Sequence, residues 1–292
     1  MANQVWQLPT IMTTFAYGDE YFAELEGMLA NIKEHHPNWR FVIGRGPTRG
    51  YELPTFEVES PVGATHWTIP RALDLDGRRG SDWDFDRVCL MAGWWVARVW
   101  HEFAHLSGTN CYRLLYSDVG NRFNGPLDVE LEQGAEVVAS PWWHEADYFD
   151  GKGMLCTCLL LFQGSKEGAV ERVIDKWEKK SLDNLGYSPQ AGPSGKYSDE
   201  ELLTDVLHER TETKGDYSLL KLDRHKYSCW PIEGLTFNEK TESIEERRLI
   251  RRGLVDQWHF SSKMKLADGS RVQWPPPEEF RLRAPIGSFL KW

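Results

Sequence analysis

Residues 154–162 read MLCTCLLLF, a continuous apolar run of strand length. A strand of this kind is buried on both faces. In a soluble protein that burial comes from helices packed on both sides of a mainly parallel sheet. The run therefore constrains the fold more than any other stretch: the chain must supply further strands beside it and helices above and below it.

The start of the chain supplies such a unit. Residues 8–15 (LPTIMTTF) are rich in β-branched side chains and read as a first strand. Gly18-Asp19 marks a turn, and residues 20–35 place Phe22, Leu25, Met28, Leu29 and Ile32 at helical spacing. Pro37 follows the helix, and residues 40–43 form a second strand. Strand, helix, strand in that order predicts a parallel sheet. Residues 51–59 read as a third strand, and the polar stretch 63–84 reads as a long loop, a kind that is often functional.

Residues 86–106 form a strong helix with an Asp cap at 84 or 86 and Gly108 as its stop. Strands follow at 112–116, 135–140 and 154–162. A helix at 166–180 turns Val170, Val173, Ile174 and Trp177 inward. The Pro/Gly/Ser stretch 186–197 is a loop. A helix at 198–208 opens with Ser198 and Glu201 as a capping box. No internal repeat or sharp composition shift divides the chain.

The strand at 112–116 runs into Asp118, then a Gly/Asn turn, then Pro126-Leu127. In α/β sheets ligands bind outside the carboxyl ends of the strands. An acid held there by a rigid strand is placed to meet a divalent cation or a sugar hydroxyl.

Composition narrows the function classes. The net charge of −10 argues against holding nucleic acid mainly through its phosphates. The cluster Arg247-Arg248, Arg251-Arg252 reads as a solvated helix face. Five Cys lie mostly in apolar runs, an odd number without zinc-ribbon spacing. Cys156 and Cys158 share a strand face, too close for an ordinary disulfide. Reduced thiols, an opening MANQVWQLPT unlike a signal peptide and the lack of a run of transmembrane length predict a cytoplasmic protein without a membrane anchor. Fourteen Trp, among them Trp94-Trp95, Trp142-Trp143, Trp230, Trp258, Trp274 and Trp292, read first as core filling and second as stacking surface for a sugar or base.

Five segments, in order, resemble the GT-A nucleotide-diphospho-sugar glycosyltransferases of the family 8 type. IMTTFAYGDEYFAELEGMLANIKEHHPNWRFVIG looks like their opening nucleotide-holding unit. LLYSDVGNRFNGPLDVEL looks like the strand-end Asp-x-Asp signature, and MLCTCLLLFQGSKEGAVERVIDKW like the strand and helix after it. SDEELLTDVL looks like the helix start facing the donor sugar, and WHFSSKMK, at 258–265, like a His-x-x-Gly-x-x-Lys signature. The resemblance implies one GT-A-like α/β domain over residues 1–292, with a Rossmann-like, mostly parallel central sheet flanked by helices. Residues 1–125 would be the nucleotide-binding half, and 126–292 the acceptor-side half with a C-terminal closing segment.

It further implies sugar transfer from a nucleotide-diphosphate donor, uridine by default, with Mn²⁺ or Mg²⁺. The His motif leans to retention of anomeric configuration. A leaving diphosphate gathers charge that cations must stabilise. By resemblance, Asp118 and His259 are the metal ligands, and Lys263 and Lys265 meet phosphates. Thr14, Phe15, Ala16, Tyr17, Ser117 and Asp118 line the donor site, with Phe15 or Tyr17 stacking on the base. Asp118, Asp199 and Glu200 are the catalytic candidates, one of the latter two contacting sugar hydroxyls or an oxocarbenium ion. The acceptor is open among a glycan, a protein, a metabolite and a modified nucleobase.

The chain departs from the family pattern at Gly120, where a second Asp is usual, at Cys156 and Cys158, where Asn and Gly are usual, and at Ser262, where Gly is usual. Asn121 or Asp128 can supply a substitute ligand. Two other readings stand beside this one. His101-Glu102-Phe-Ala-His105 matches the H-E-x-x-H zinc motif of metallohydrolases, and Gly108 extends it, but Cys111 stands where a third His belongs. Gly120 also suits a non-catalytic relative that binds nucleotide-sugars.

Overall fold

The structure is a computed structural model that describes residues 10–16, 19–46, 55–68, 81–108, 110–123, 126–127, 134–141, 155–184, 199–208, 217–222 and 257–259. In chain order the strands of the main sheet are β1 (Ile11–Ala16), β2 (Arg40–Arg45), β3 (Thr55–Glu59), β4 (Thr65–Thr68), β5 (Cys111–Ser117), β7 (Val137–Pro141), β8 (Leu155–Ser165) and β9 (Leu219–Lys221). Two short strands, β6 (Asn121–Phe123) and β10 (Gln257–His259), form a separate ribbon. The helices are α1 (Asp19–His35), α2 (Ser81–Phe103), α3 (Ala169–Asn184) and α4 (Asp199–His208).

The main sheet has the order β4-β3-β2-β1-β5-β8-β7-β9. Strands β1, β2, β4, β5, β7 and β9 run one way, and β3 and β8 run against them. The fold is α/β, a mostly parallel sheet flanked by helices, consistent with the GT-A-like architecture expected. The apolar run at 154–162 is the heart of β8, and its residues from Leu155 to Gln163 are all buried.

Two apolar clusters sandwich the sheet. On one face α2, α3 and α4 pack on Ile11, Phe15, Leu114, Tyr116 and Phe162. On the other, Leu25, Met28, Leu29 and Ile32 of α1 pack on Met12, Ile43 and Leu115, with Phe123 and Leu127 in the same cluster. Trp94, Trp95, Trp100 and Trp177 are fully buried on the three-helix face, so these four fill core. Each removes roughly 150–250 Å² from water, about 4–6 kcal/mol at 25 cal/mol per Å². Of the other Trp singled out above, Trp142, Trp143, Trp230, Trp274 and Trp292 lie outside the described residues, as do the Arg247–252 cluster, Ser198 and Cys229. No helix among the described residues is long and apolar enough to cross a membrane.

Three differences from the sequence reading have physical causes. The expected loop at 63–84 contains β4, because Trp67 finds ring partners in Trp94, Trp95 and Phe103 of α2. The α2 helix ends at Phe103 rather than 106. A 3-10 turn over Ala104–Ser107 follows, and Gly108 closes it with φ 77°, the left-handed conformation that glycine adopts freely. The ribbon of β6 and β10 joins segments far apart in sequence, which no local pattern announces.

The core has little slack beneath β2. Trp95 Nε1 donates to Thr13 Oγ1 at 2.9 Å, and that hydroxyl donates to the Val42 carbonyl at 2.7 Å. The Trp95 ring then lies flush against Gly44, where a Cβ would stand 2.5 Å from the ring and 3.0 Å from Phe15 Cβ. Gly44→Ala must push a hydrogen-bonded ring. We expect it to destabilise the protein by about 1–3 kcal/mol, measured as a lower denaturant midpoint at unchanged slope.

Candidate functional site

The direction of strand order reverses beside β1. From β1 the chain passes through α1 to β2, β3 and β4 on one side, then returns through α2 to β5 on the other. Thr13 of β1 stands opposite Tyr116 of β5 in parallel register. The carboxyl ends of these two strands therefore flank the topological switch point, where α/β sheets open a ligand crevice. One wall carries Thr14, Phe15 and Ala16, and the other Tyr116, Ser117 and Asp118.

Asp118 is half-buried and firmly placed. Its N–H donates to the Cys158 carbonyl at 2.9 Å, and its carbonyl accepts the Asn121 N–H at 3.1 Å. Tyr116 donates its hydroxyl to Asp118 Oδ1 at 3.2 Å. Asn121 is fully buried, and its Nδ2 donates to Ser117 Oγ at 2.8 Å and to the Cys158 carbonyl. Asn121 thus braces the turn through its carboxamide nitrogen and backbone N–H. Gly120 is buried in the same turn, and Asp128 lies outside the described residues.

A second acid comes from the other side of the sheet. Pairing of β7 with β8 jumps from Ala139 opposite Leu160 to Ser140 opposite Cys156, so β8 bulges over residues 157–159. The bulge carries Thr157 to the first turn of α4, where its hydroxyl donates to Asp199 Oδ2. Asp199 opens α4 and is only 7% exposed. Bulges beside ligand sites re-aim side chains in this way, and sequence reading missed both the bulge and Thr157. Glu200, the next residue, is partly buried.

These groups sense one another. Burial raises the Asp199 carboxyl to about 7, and the Asp118 charge adds to the rise. The Thr157 hydroxyl and the backbone N–H groups of residues 199 and 200 oppose it. Burial likewise raises Asp118 to about 6 against the pull of the Tyr116 hydroxyl. The Tyr116 phenol is pushed well up by burial and by the charges of Asp118 and Asp199. Cys156 is raised by burial, then by its neighbour Cys158, Glu200 and Asp118. The crevice therefore holds two carboxyls that ionise near neutral pH, able to carry a proton, accept hydroxyl hydrogens or meet a cation.

The other expected site residues divide as follows. Thr14, Phe15 and Ala16 reach the switch point, but their side chains are buried, and the Phe15 ring packs between Trp95 at 5.9 Å and Tyr116 at 6.4 Å. That ring serves the core; Tyr17, Lys263 and Lys265 lie outside the described residues. Ser117 is buried and tied to the turn. β10 pairs antiparallel with β6 so that His259 stands opposite Asn121, which places its backbone beside the Asp118 turn. Among the described residues, no three His, Cys, Asp or Glu side chains group to hold a metal.

The H-E-x-x-H stretch lies elsewhere. It ends α2, which feeds the amino end of β5, opposite the crevice. The switch to a 3-10 turn at Ala104 breaks the helical spacing between His101 and His105. His101 Nε2 pairs with Asp175 Oδ1 at 2.8 Å, and His101, Glu102 and His105 are exposed. Among the described residues, His101, Glu102 and His105 are part of no group of three His, Cys, Asp or Glu that could hold a metal.

No family model matches the chain, and no curated protein matches it in sequence. A solved structure of galactosyltransferase LgtC in complex with donor and acceptor sugar analogs covers 75% of this chain with 75% of its own, at 13% identity and a TM-score of 0.39.

Two measurements follow from this geometry. Because Asp199 binds its proton more tightly when folded, the folded chain holds more protons between about pH 4 and 7, and stability falls as pH rises through that window. Asp199→Asn keeps an acceptor for Thr157 and removes the charge. It should match the native protein near pH 4 and exceed it at pH 8 by on the order of a few kcal/mol in urea unfolding. For the exposed motif, His101→Ala and Glu102→Ala should change stability by under about 1 kcal/mol, and metal analysis of purified protein should give the same zinc content in native and variant chains.

Proposed function

We propose that this chain is a glycosyltransferase that takes a nucleotide-diphosphate sugar, with uridine as the default base, into the crevice between the carboxyl ends of β1 and β5. The observation that carries the reading is Asp118, an acid fixed at a strand end on the switch point, with Asp199 held beside it by the β8 bulge. The ordered resemblance of five segments to GT-A enzymes agrees with that placement. Residues 1–125 would hold the nucleotide, and the later part of the chain would face the acceptor.

The donor set suits a divalent ion bound together with its ligand. Mg²⁺ and similar ions take one or two carboxylates and fill the remaining positions with phosphate oxygens and water. Asp118, with His259 carried to the same turn by β10, would hold such an ion. When bound, it would neutralise charge on the departing diphosphate. Asp118 also orients the donor, and Asp199 and Glu200 would hold sugar hydroxyls or face positive charge developing on the sugar ring. Lys263 and Lys265 would carry the rest of the charge on the phosphates, a larger share than in an enzyme with two strand-end acids.

Calorimetric titration of UDP into the native protein, with Mn²⁺ and with EDTA, tests the reading. Binding strengthened by Mn²⁺ is expected, with a matching rise in melting temperature by mass action. Asp118→Asn should abolish the Mn²⁺ dependence and transfer. Lys265→Ala should cost about 2–4 kcal/mol of transition-state stabilisation in steady-state kinetics. No UDP binding at millimolar concentration, or UDP bound away from β1 and β5, overturns the proposal.

A further inference from the structure

The turn that carries Asp118 continues into β6, and side chains of α1 hold the far end of β6 at Phe123. Asn31 of α1 is buried. Its Nδ2 donates to the Phe123 carbonyl at 3.0 Å, and its Oδ1 accepts the Phe123 N–H at 2.7 Å. The carboxamide thus satisfies both backbone groups of one strand residue, as a neighbouring strand would. Its orientation is set by these partners, since a flipped amide would face donor to donor and acceptor to acceptor. His35 Nε2 lies 3.1 Å from the same carbonyl, and His36 Nε2 accepts the Leu127 N–H at 3.1 Å. The His36 ring is itself stacked on Trp39 at 3.7 Å.

The strand geometry gives Asn31 a consequence beyond its own two bonds. In an extended strand the N–H and carbonyl of one residue share an edge, and those of the next residue face the other edge. With the Phe123 groups turned to Asn31, the Arg122 groups face the opposite edge, on which Trp258 of β10 is the partner. A slip of one residue would exchange the two edges and turn the fully buried Phe123 out of the α1 cluster.

We propose that Asn31 is a positioning residue for the donor site. Its carboxamide acts as a one-residue strand that fixes the register of β6 and so seats β10, with His259, beside the Asp118 turn. The functional part of this inference depends on the reading of Asp118 and His259 as donor ligands. The register part does not. A paired ribbon of three residues a side is marginal alone, so its position must come from outside anchors: Asn121 ties the first residue of β6 to Asp118 and Cys158, and Asn31 engages both backbone groups of the last, with His35 beside the same carbonyl.

Hydrogen exchange by mass spectrometry on the full chain, together with UDP–Mn²⁺ calorimetry, tests the proposal. Asn31→Ala should release the amides of residues 257–259 while β1 and β5 stay protected. Ile32→Ala, an equally buried loss on the same helix without the amide, should leave 257–259 protected. UDP–Mn²⁺ affinity should fall roughly 10–100-fold in Asn31→Ala, the range for loss of an outer-shell partner. Adding His259→Ala should then cost little more, a non-additivity that general destabilisation does not produce. If Asn31→Ala does not fold, Asn31→Asp keeps the acceptor for the Phe123 N–H, loses the donor and reads the same way. Unchanged protection at 257–259, an equal effect from Ile32→Ala, or additive Asn31 and His259 losses overturn the proposal. A native protein that shows the exchange coupling but binds no UDP removes the glycosyltransferase reading and leaves the register role standing.

Discussion

The antiparallel insertion of β8 between β5 and β7 is the constraint on which the crevice depends. A parallel strand in that place would bring its carboxyl end to the site. An antiparallel one brings its beginning, so residues 155–159 meet the end of β5. That is why the Cys158 carbonyl can receive both the Asp118 N–H and the Asn121 carboxamide, and why Thr157 can reach the first residue of α4. The buried strand that demands helices on both faces of the sheet also holds the acid turn in place.

The two acids sit at the cost of local stability. A carboxyl raised by burial is a group that folding would rather keep neutral. Asp199 relieves part of this through Thr157 and the helix N–H groups, and Asp118 through Tyr116. Neither is brought back to an ordinary carboxylate. Carboxyls shifted in this way cluster at functional sites, which supports the donor site proposed here.

What the sequence disclosed depended on the range of the signal. The β1-α1-β2 unit, β5, β8 and α3 carry their periodicity within a dozen residues, and Val170, Val173, Ile174 and Trp177 are buried as their spacing predicts. The place of Asp118 at the end of β5 was legible because an acid after a buried strand is a local pattern. The bulge in β8 was not, since Cys156, Thr157 and Cys158 look like ordinary strand residues until their pairing partner is known. β4 was hidden because its stabilising rings come from α2, and β6 because its partners are Asn31 and β10. The H-E-x-x-H match shows the opposite limit of a local pattern. Its four-residue spacing assumes a continuous helix, and the turn at Ala104 ends that helix within the motif.

Among the described residues, the main sheet also ends in its two shortest strands, β4 with four residues and β9 with three. A sheet edge is a template for another chain in proportion to the backbone groups it offers. Strands this short present too few to seed a lasting ladder, whereas the long apolar β8, which would be the most adhesive segment of the chain, is enclosed on both sides by β5 and β7. Among the described residues, the segment with most tendency to self-associate thus lies in the interior of the sheet, and the strands at its margins have least to offer a neighbour.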